Sequence, residues 1–136
     1  MIVSLHVATG AAAGALTRSP LAAAALGPLL HALGDRMPHK DIASRRFEIG
    51  GGLALVALLA ATRGPRDAAV VGALAACAPD TEHVVRLPRP GGRKLFPSHR
   101  IGSWHRAGGV PAWAQVLVAG AIIGALAATG RGRPGR

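Results

Sequence analysis

Apolar residues occur in this chain in five long segments, which polar and charged connections separate. The third segment has no polar stripe, and the only polar residue inside the fifth is Gln115. A helix that is apolar on every side lies either at the centre of a large protein or in lipid. A chain of 136 residues is too small to bury several such helices centrally. The pattern therefore predicts an all-α protein, a five-helix up-down transmembrane bundle. The segments cover residues 2–16, 20–35, 49–62, 67–78 and 110–129.

The boundaries of these segments carry ordinary helix signals. Pro20 suits the first turn of a helix, and Asp67 suits the position just before one. Pro38 disfavours helix at the residue before it, so the second helix should end near Met37. The fifth segment is long enough to cross a bilayer. We expect a single helical domain over residues 1–130 and a disordered basic tail over residues 131–136.

The composition favours close packing of small residues. Half of the chain is hydrophobic, but only 3% is aromatic, with two Trp, two Phe and no Tyr. Such helices can pack closely without aromatic side chains, and the pairs Gly10/Gly14 and Gly120/Gly124 have the spacing that lets two backbones approach. Cys77 is the only cysteine, so no internal disulfide can form.

The histidine and acidic residues are concentrated at one end of the predicted bundle. In an up-down arrangement the amino terminus and the connections after the second and fourth helices lie on the same side. All six histidines and five of the six acidic residues fall on that side or within about two turns of it. These residues are His6, His31, His39, His83, His99, His105, Asp35, Asp41, Glu48, Asp80 and Glu82. We therefore expect four separated segments to converge on one polar site.

The first ligand pair is at the end of the second helix. His31 and Asp35 are four residues apart and so lie on one helix face, where they could bind one metal ion. His39 and Asp41 follow Pro38 and fall on the next turn. The alternative interpretation is a polar helix end without a ligand.

The second group comes from the long connection. Asp80 and His83 follow the fourth helix at a spacing of three residues, in the stretch Pro-Asp-Thr-Glu-His. A capped turn is the alternative for this stretch. His99 and His105 belong to a later loop, which could otherwise be a basic interfacial segment with Trp104 at headgroup depth.

Imidazole and carboxylate ligands together suit Zn, Mn, Fe or Ni. We expect a divalent metal, Zn or Mn, and the number of available ligands would serve two ions that share a carboxylate.

These motifs resemble those of the predicted membrane-bound metal-dependent hydrolases, which are small multi-helix bacterial and archaeal membrane proteins. His6 resembles the early histidine of the family pattern, residues 79–83 its Pro-Asp-x-x-His motif, and residues 31–35 its His-x-x-x-Asp helix end. Residues 99–105 are similar to its His-Arg-Gly-x-Thr-His loop, with one more residue between the histidines. The helix-end motif here precedes the Pro-Asp motif, the reverse of the better-known order. The resemblance implies an integral protein of a bacterial or archaeal cytoplasmic membrane.

The sequence thus predicts a metal-dependent hydrolase that acts at the membrane surface on phosphoester or lipid-derived substrates. The expected metal ligands are His31, Asp35, Asp80, His83 and His6. The expected extra ligands or acid–base groups are His39, Asp41, His99 and His105. Arg100 and Arg106 could hold an anionic phosphate. The alternative function is a non-enzymatic membrane metal-binding or transport-accessory protein.

The net charge of +10 has two further implications. The basic loop over residues 86–106 contains only Phe96 and Trp104 as aromatic residues, too few for a base-stacking platform, so specific nucleic-acid binding is not expected. Its basic residues are instead expected to face lipid phosphates. Ten Lys and Arg residues lie on the histidine side and six on the other, which formally places the site in the cytoplasm.

Overall fold

Each of the five apolar segments is a helix in the computed structural model, which describes residues 1–85, 88–104, 106 and 108–130. The long helices are α1 (Val3–Thr17), α2 (Pro20–Arg36), α3 (Arg45–Arg63), α4 (Ala68–Cys77) and α7 (Ala112–Gly130). The long connection adds two single-turn helices, α5 (Thr81–Val84) and α6 (Pro97–Arg100), and 3₁₀ turns at Ala78–Asp80 and Pro90–Gly92. The prediction of an all-helical bundle is confirmed.

Side-chain caps account for the starts of α2, α3 and α4. Ser19 accepts a hydrogen bond from the Ala22 amide before α2, and Asp67 accepts one from the Ala69 amide at 2.9 Å before α4. Helix α3 begins at Arg45, earlier than the apolar pattern predicts, because Ser44 caps its polar first turn. Apolar periodicity alone does not reveal such a turn.

Helix α1 is the centre of the bundle and packs against α2, α3, α4 and α7. Its contact with α4 is a backbone contact. A Cβ atom on Gly10 would lie 2.2 Å from the Gly72 carbonyl oxygen, and one on Gly14 would lie 2.0 Å from that of Ala68. The close approach expected at the Gly10/Gly14 pair is therefore confirmed.

The core consists of small and branched aliphatic side chains. Val7, Ala11, Leu59, Val70 and Ile123 are among its buried members. In the described ranges none of the buried hydrophobic residues is aromatic. Because the backbones of α1 and α4 are in contact, little space is left between them for aromatic rings to fill.

Helix α7 lies on the outside of α1 and α3. Within the described residues it is the helix that is long and apolar enough to cross a membrane, a test that core helices of soluble proteins also pass. The Gly120/Gly124 pair has no neighbouring atom within 4 Å of where a Cβ would be. This pair mediates no helix contact within the described chain.

Gln115, the one polar residue of the fifth segment, connects the helices to the loop after α2. Its Oε1 accepts the Ile2 amide hydrogen at 3.1 Å, and its Nε2 donates to the carbonyls of Lys40 and Val110 at 2.9 and 3.1 Å. A parallel pairing of His39 with Val110 holds the same loop. The histidine-bearing end of the bundle is therefore tied together by several hydrogen bonds.

Candidate metal centre

Four segments contribute side chains to one buried polar cluster. Helix α2 provides His31 and Asp35, and the turn after α4 provides Asp80. Helix α6 provides His99, and α1 provides His6. Three overlapping groups of these side chains and His83 have ligand atoms close enough together to hold a metal ion.

The hydrogen bond that His31 makes to the backbone defines which of its nitrogens carries the proton. Its Nδ1 lies 2.7 Å from the Ala76 carbonyl oxygen, which can only accept, so Nδ1 carries hydrogen. In the neutral ring Nε2 then has a free lone pair. Phe96 contacts the ring edge-on, with the ring centres 5.2 Å apart. The fully buried imidazole is thus held with Nε2 directed into the cluster.

His99 is oriented in the same way by a carboxylate. Its Nδ1 lies 2.6 Å from Glu82 Oε1, so this nitrogen also carries hydrogen, and its Nε2 lies 3.0 Å from Nε2 of His31. Two neutral imidazoles in this arrangement would direct two lone pairs at each other. The pair therefore requires a cation beside both nitrogens, either a proton or a metal ion.

Asp35 completes the inner group. Its Oδ2 lies 3.1 Å from His31 Nε2 and 3.4 Å from His99 Nε2. Ser98 donates a hydrogen bond of 2.5 Å to the same oxygen, and His6 Nε2 donates one of 3.1 Å to Oδ1. Both oxygens of this buried carboxylate are therefore held in place.

The spacing of the three inner donors matches a tetrahedral ion. Donors about 2.0–2.1 Å from a zinc ion at tetrahedral angles are about 3.3–3.4 Å from each other. The three separations among His31 Nε2, His99 Nε2 and Asp35 Oδ2 are 3.0, 3.1 and 3.4 Å. These side chains could hold a metal ion with small adjustments.

Asp80 lies slightly further from the Nε2 atoms of His31 and His99 than Asp35 does. Its Oδ1 lies 3.8 Å from His31 Nε2 and 3.6 Å from His99 Nε2. Its Oδ2 is buried and has no hydrogen-bond partner among the described residues. Burial raises the pKa of this carboxyl group, although the neighbouring imidazoles oppose the shift. A cation bound nearby would stabilise the ionised form of this carboxyl group.

The pKa values of Glu82 and His99 are shifted in opposite directions. Burial acts to lower the pKa of His99, but its hydrogen bonds with Asp35 and Glu82 outweigh burial and raise it. Burial acts to raise the pKa of Glu82, but hydrogen bonds from Leu95 and His99 outweigh this effect and lower it. The hydrogen bond between Glu82 and His99 thus orients the His99 ring.

A cavity of about 370 Å³ adjoins these donors. Asp35, Asp80 and His99 form part of its wall, and the loop after α2 with the first turns of α3 forms another part. A small molecule in this cavity would touch the donor side chains directly.

Two of the predicted metal ligands have a different position from that of the inner donors. His6 donates to Asp35 through Nε2 and stacks on His31 at 3.9 Å, so in this arrangement it orients a donor. His83 is exposed and its Nδ1 lies 3.2 Å from Lys94 Nζ. Burial, followed by the charges of His99 and Lys94, lowers the pKa of His83 to about 4. His83 lies at the edge of the cluster, next to His99 and Asp80.

Of the residues predicted for acid–base work, the structure brings His99 into the centre and leaves two others outside it. His39 donates from Nδ1 to the Met37 carbonyl at 2.6 Å, and its Nε2 lies 3.1 Å from Asp41 Oδ1. Asp41 is 70% exposed on its side chain but lines the cavity.

The basic residues predicted to hold phosphate lie at the surface. Arg100 and Arg106 are exposed, and neither lines the cavity. His105 lies outside the described residues. Arg45 is the arginine that lines the cavity, and the sequence analysis did not select it.

Sequence reasoning also missed Glu82 and Ser98 as positioning residues. Both are buried, and each contacts a donor side chain. Glu82 could have been suspected, because it is next to His83 in the Pro-Asp motif region. Its burial depends on the later loop, whose Leu95 amide donates to its Oε2 at 2.6 Å.

Comparisons with family models, with curated proteins and with solved structures found no match for this chain.

Proposed function

We propose that this protein is a membrane-embedded, metal-dependent hydrolase of phosphoester or lipid-derived substrates. The observation that carries the proposal is the convergence of His31 Nε2, His99 Nε2 and Asp35 Oδ2 at 3.0–3.4 Å beside an open cavity. Two imidazoles and one carboxylate form a ligand set that catalytic zinc sites use. Zinc is therefore the first metal to test, and manganese the second.

Each residue has a distinct role in this proposal. His31, His99 and Asp35 bind the metal, while Glu82, Ser98 and His6 orient them. A divalent ion at this position would supply a water of lowered pKa and would polarise the scissile ester. Asp80 is next to the donors on the cavity wall, where its carboxylate can accept the proton of the attacking water.

The membrane part of the proposal is supported by the surface. Only 22% of the most apolar stretch of α7 is buried within the bundle, unlike a typical core helix. Large apolar side chains are exposed elsewhere too, including Leu16 (84%), Leu21 (83%) and Leu53 (64%). Apolar surface of this extent favours contact with lipid. The resemblance to membrane-bound metal-dependent hydrolases agrees with this interpretation.

A non-enzymatic metal-binding or transport-accessory protein would use the same donors without turnover. Asp80 lines a cavity, and this cavity favours the hydrolase, because a protein that only stores metal needs no space for a substrate.

The test is metal-dependent hydrolysis of phosphomonoesters and phosphodiesters by the protein purified in a non-ionic detergent. We expect activity that a chelator removes and that zinc or manganese restores. Asp80→Asn should lower kcat by about 10²–10⁴-fold while metal stays bound. Asp67→Asn is the matched control, because asparagine is an equally good cap for α4 and the change removes only an ion pair with Arg63, away from the cluster. A metal-loaded wild type without turnover on any ester would favour the non-enzymatic alternative.

A further inference from the structure

The cavity beside the metal donors contains charged groups of both signs that the metal does not use. Asp35, Asp80 and His99 belong to the donor cluster. The remaining charged lining consists of Arg45, Asp41, Glu48 and the amino-terminal ammonium of Met1, which is paired with Asp35 at 3.3 Å. In addition to the metal and this paired ammonium, a ligand that fills the cavity therefore meets one guanidinium and two carboxylates.

Arg45 and Glu48 are not engaged with each other. They lie three residues apart on the first turns of α3, a spacing at which opposite charges often pair. Glu48 accepts one hydrogen bond, from the Val3 amide at 3.3 Å, and the ion pairs found among the described residues include none by Arg45 or Glu48. Both groups are therefore available to a ligand in the cavity.

Arg45 is also close to the metal donors. It lines the same cavity as the donor side chains of Asp35 and His99. A phosphoryl group bound at the metal would thus have a guanidinium within reach, which is the side chain best suited to bind it.

Apart from His83, the rest of the lining is apolar. Val3, Ile42, Ile49 and Val84 form this part of the wall. The cavity volume of about 370 Å³ suits a small organic ester and exceeds what inorganic phosphate alone requires.

We propose that the substrate is a zwitterionic aminoalkyl phosphate ester, whose phosphoryl group lies between the metal donors and Arg45 and whose ammonium group is bound by Glu48 and Asp41. The inference rests on the proposed metal centre and narrows the substrate class of the proposed function. A carboxylate pair beside the phosphate position would repel a simple anionic ester, whereas an amine on the ester removes that cost. The apolar wall contacts the hydrocarbon part of the ester.

The test is isothermal titration of zinc-loaded, full-length protein in a non-ionic detergent with matched esters. O-Phosphoethanolamine is compared with ethyl phosphate, which lacks only the amine. The dihexanoyl glycerophosphate esters of ethanolamine and of ethanol form a second matched pair, which distinguishes a lipid headgroup from a soluble ester. In each pair that binds, we expect the amine to tighten binding about tenfold, as one charged hydrogen bond can do.

Substitutions test the carboxylates and the guanidinium of the cavity separately. Asp41→Asn combined with Glu48→Gln should remove the advantage of the amine and leave the affinity for ethyl phosphate equal or higher. Arg45→Gln should weaken the binding of all four esters about tenfold. Arg46→Gln is the control, because Arg46 is the next residue in the chain and does not line the cavity.

Equal affinities within both pairs would overturn the inference, as would an amine advantage that persists in the double carboxylate variant, or binding of none of the four esters. These results are independent of turnover. A protein that binds both members of a pair with equal affinity and hydrolyses both would refute the zwitterionic substrate and keep the hydrolase. A protein that binds the amine esters selectively without hydrolysing them would refute the hydrolase and keep the ligand class.

Discussion

At the scale of single residues, the centre depends on two proton positions. The Ala76 carbonyl and the Glu82 carboxylate each accept a hydrogen bond from an Nδ1 atom, and both imidazoles therefore present Nε2 to the same point. Neither acceptor would itself bind the metal. The orientation of the donors, and with it the metal affinity, depends on these outer contacts.

Glu82→Gln should weaken zinc binding by about 10–100-fold, because a neutral amide oxygen accepts the His99 hydrogen less strongly and the amino group at the Oε2 position conflicts with the Leu95 amide. The measurement is competition with a zinc chelator of known affinity. Glu48→Gln is the matched control, since Glu48 lines the cavity without contacting a donor histidine, and its zinc affinity should fall much less than that of Glu82→Gln. Equal affinities in the two variants would show that Glu82 has no positioning role.

At the scale of helices, glycine determines how closely α1 and α4 approach. The Gly10 and Gly72 backbones are in contact, and Gly27 lies against Ala75 in the same manner. These contacts bring the end of α2, the start of α1 and the turn after α4 together, and those three elements carry most of the donor side chains.

Gly10→Ala should destabilise the protein by about 1–3 kcal/mol, because the added methyl group would lie 2.2 Å from a carbonyl oxygen of α4. Gly120→Ala should instead leave stability unchanged or raise it by up to about 1 kcal/mol, since alanine is the better helix former and nothing lies within 4 Å of the new methyl group. Thermal unfolding of both variants in the same detergent compares them. A larger loss for Gly120→Ala than for Gly10→Ala would contradict the packing described for α1.

The helices could be predicted from the sequence, but the connections between them could not. Apolar runs and caps define α1, α2, α4 and α7 closely, because these signals are local. The single-turn helix α6 presents Ser98 and His99 only because its loop is anchored elsewhere. Trp104, for example, donates from Nε1 to the Ala32 carbonyl at 2.7 Å. Such long-range contacts leave no periodic signal in the sequence.

Assigning the histidine and acidic residues to one end of the bundle was informative for the candidate site. This assignment depends only on the order of the helices and not on the conformation of the loops. It brought His31, Asp35, Asp80 and His99 to one end, where the structure also places them. It could not separate donors from positioning residues. That distinction depends on hydrogen-bond partners such as Ala76 O for His31, which lie far away along the chain.

At the scale of the whole molecule, most of the acidic residues lie around one cavity. The chain has a net charge of +10, yet four of its six carboxylates line one cavity. Four carboxylates in one place would favour the binding of a divalent cation there.

The exposed apolar surface leads to a prediction about the whole protein. After expression, the protein should remain in the membrane pellet through an alkaline carbonate wash and should require detergent for release, because α7 and the exposed leucines would otherwise face water. Quantitative blotting of the fractions measures this. Full release by carbonate would contradict the membrane-embedded arrangement.

X-ray absorption at the zinc edge of the zinc-loaded protein tests the metal centre most directly. The account predicts about one tightly bound zinc per chain, with nitrogen and oxygen neighbours at about 2.0–2.1 Å and outer-shell scattering from two imidazoles. His31→Ala and His99→Ala should each remove one imidazole or abolish binding. Zinc that is lost on gel filtration, or zinc with oxygen neighbours and no imidazole scattering, would contradict a metal centre formed by His31, His99 and Asp35.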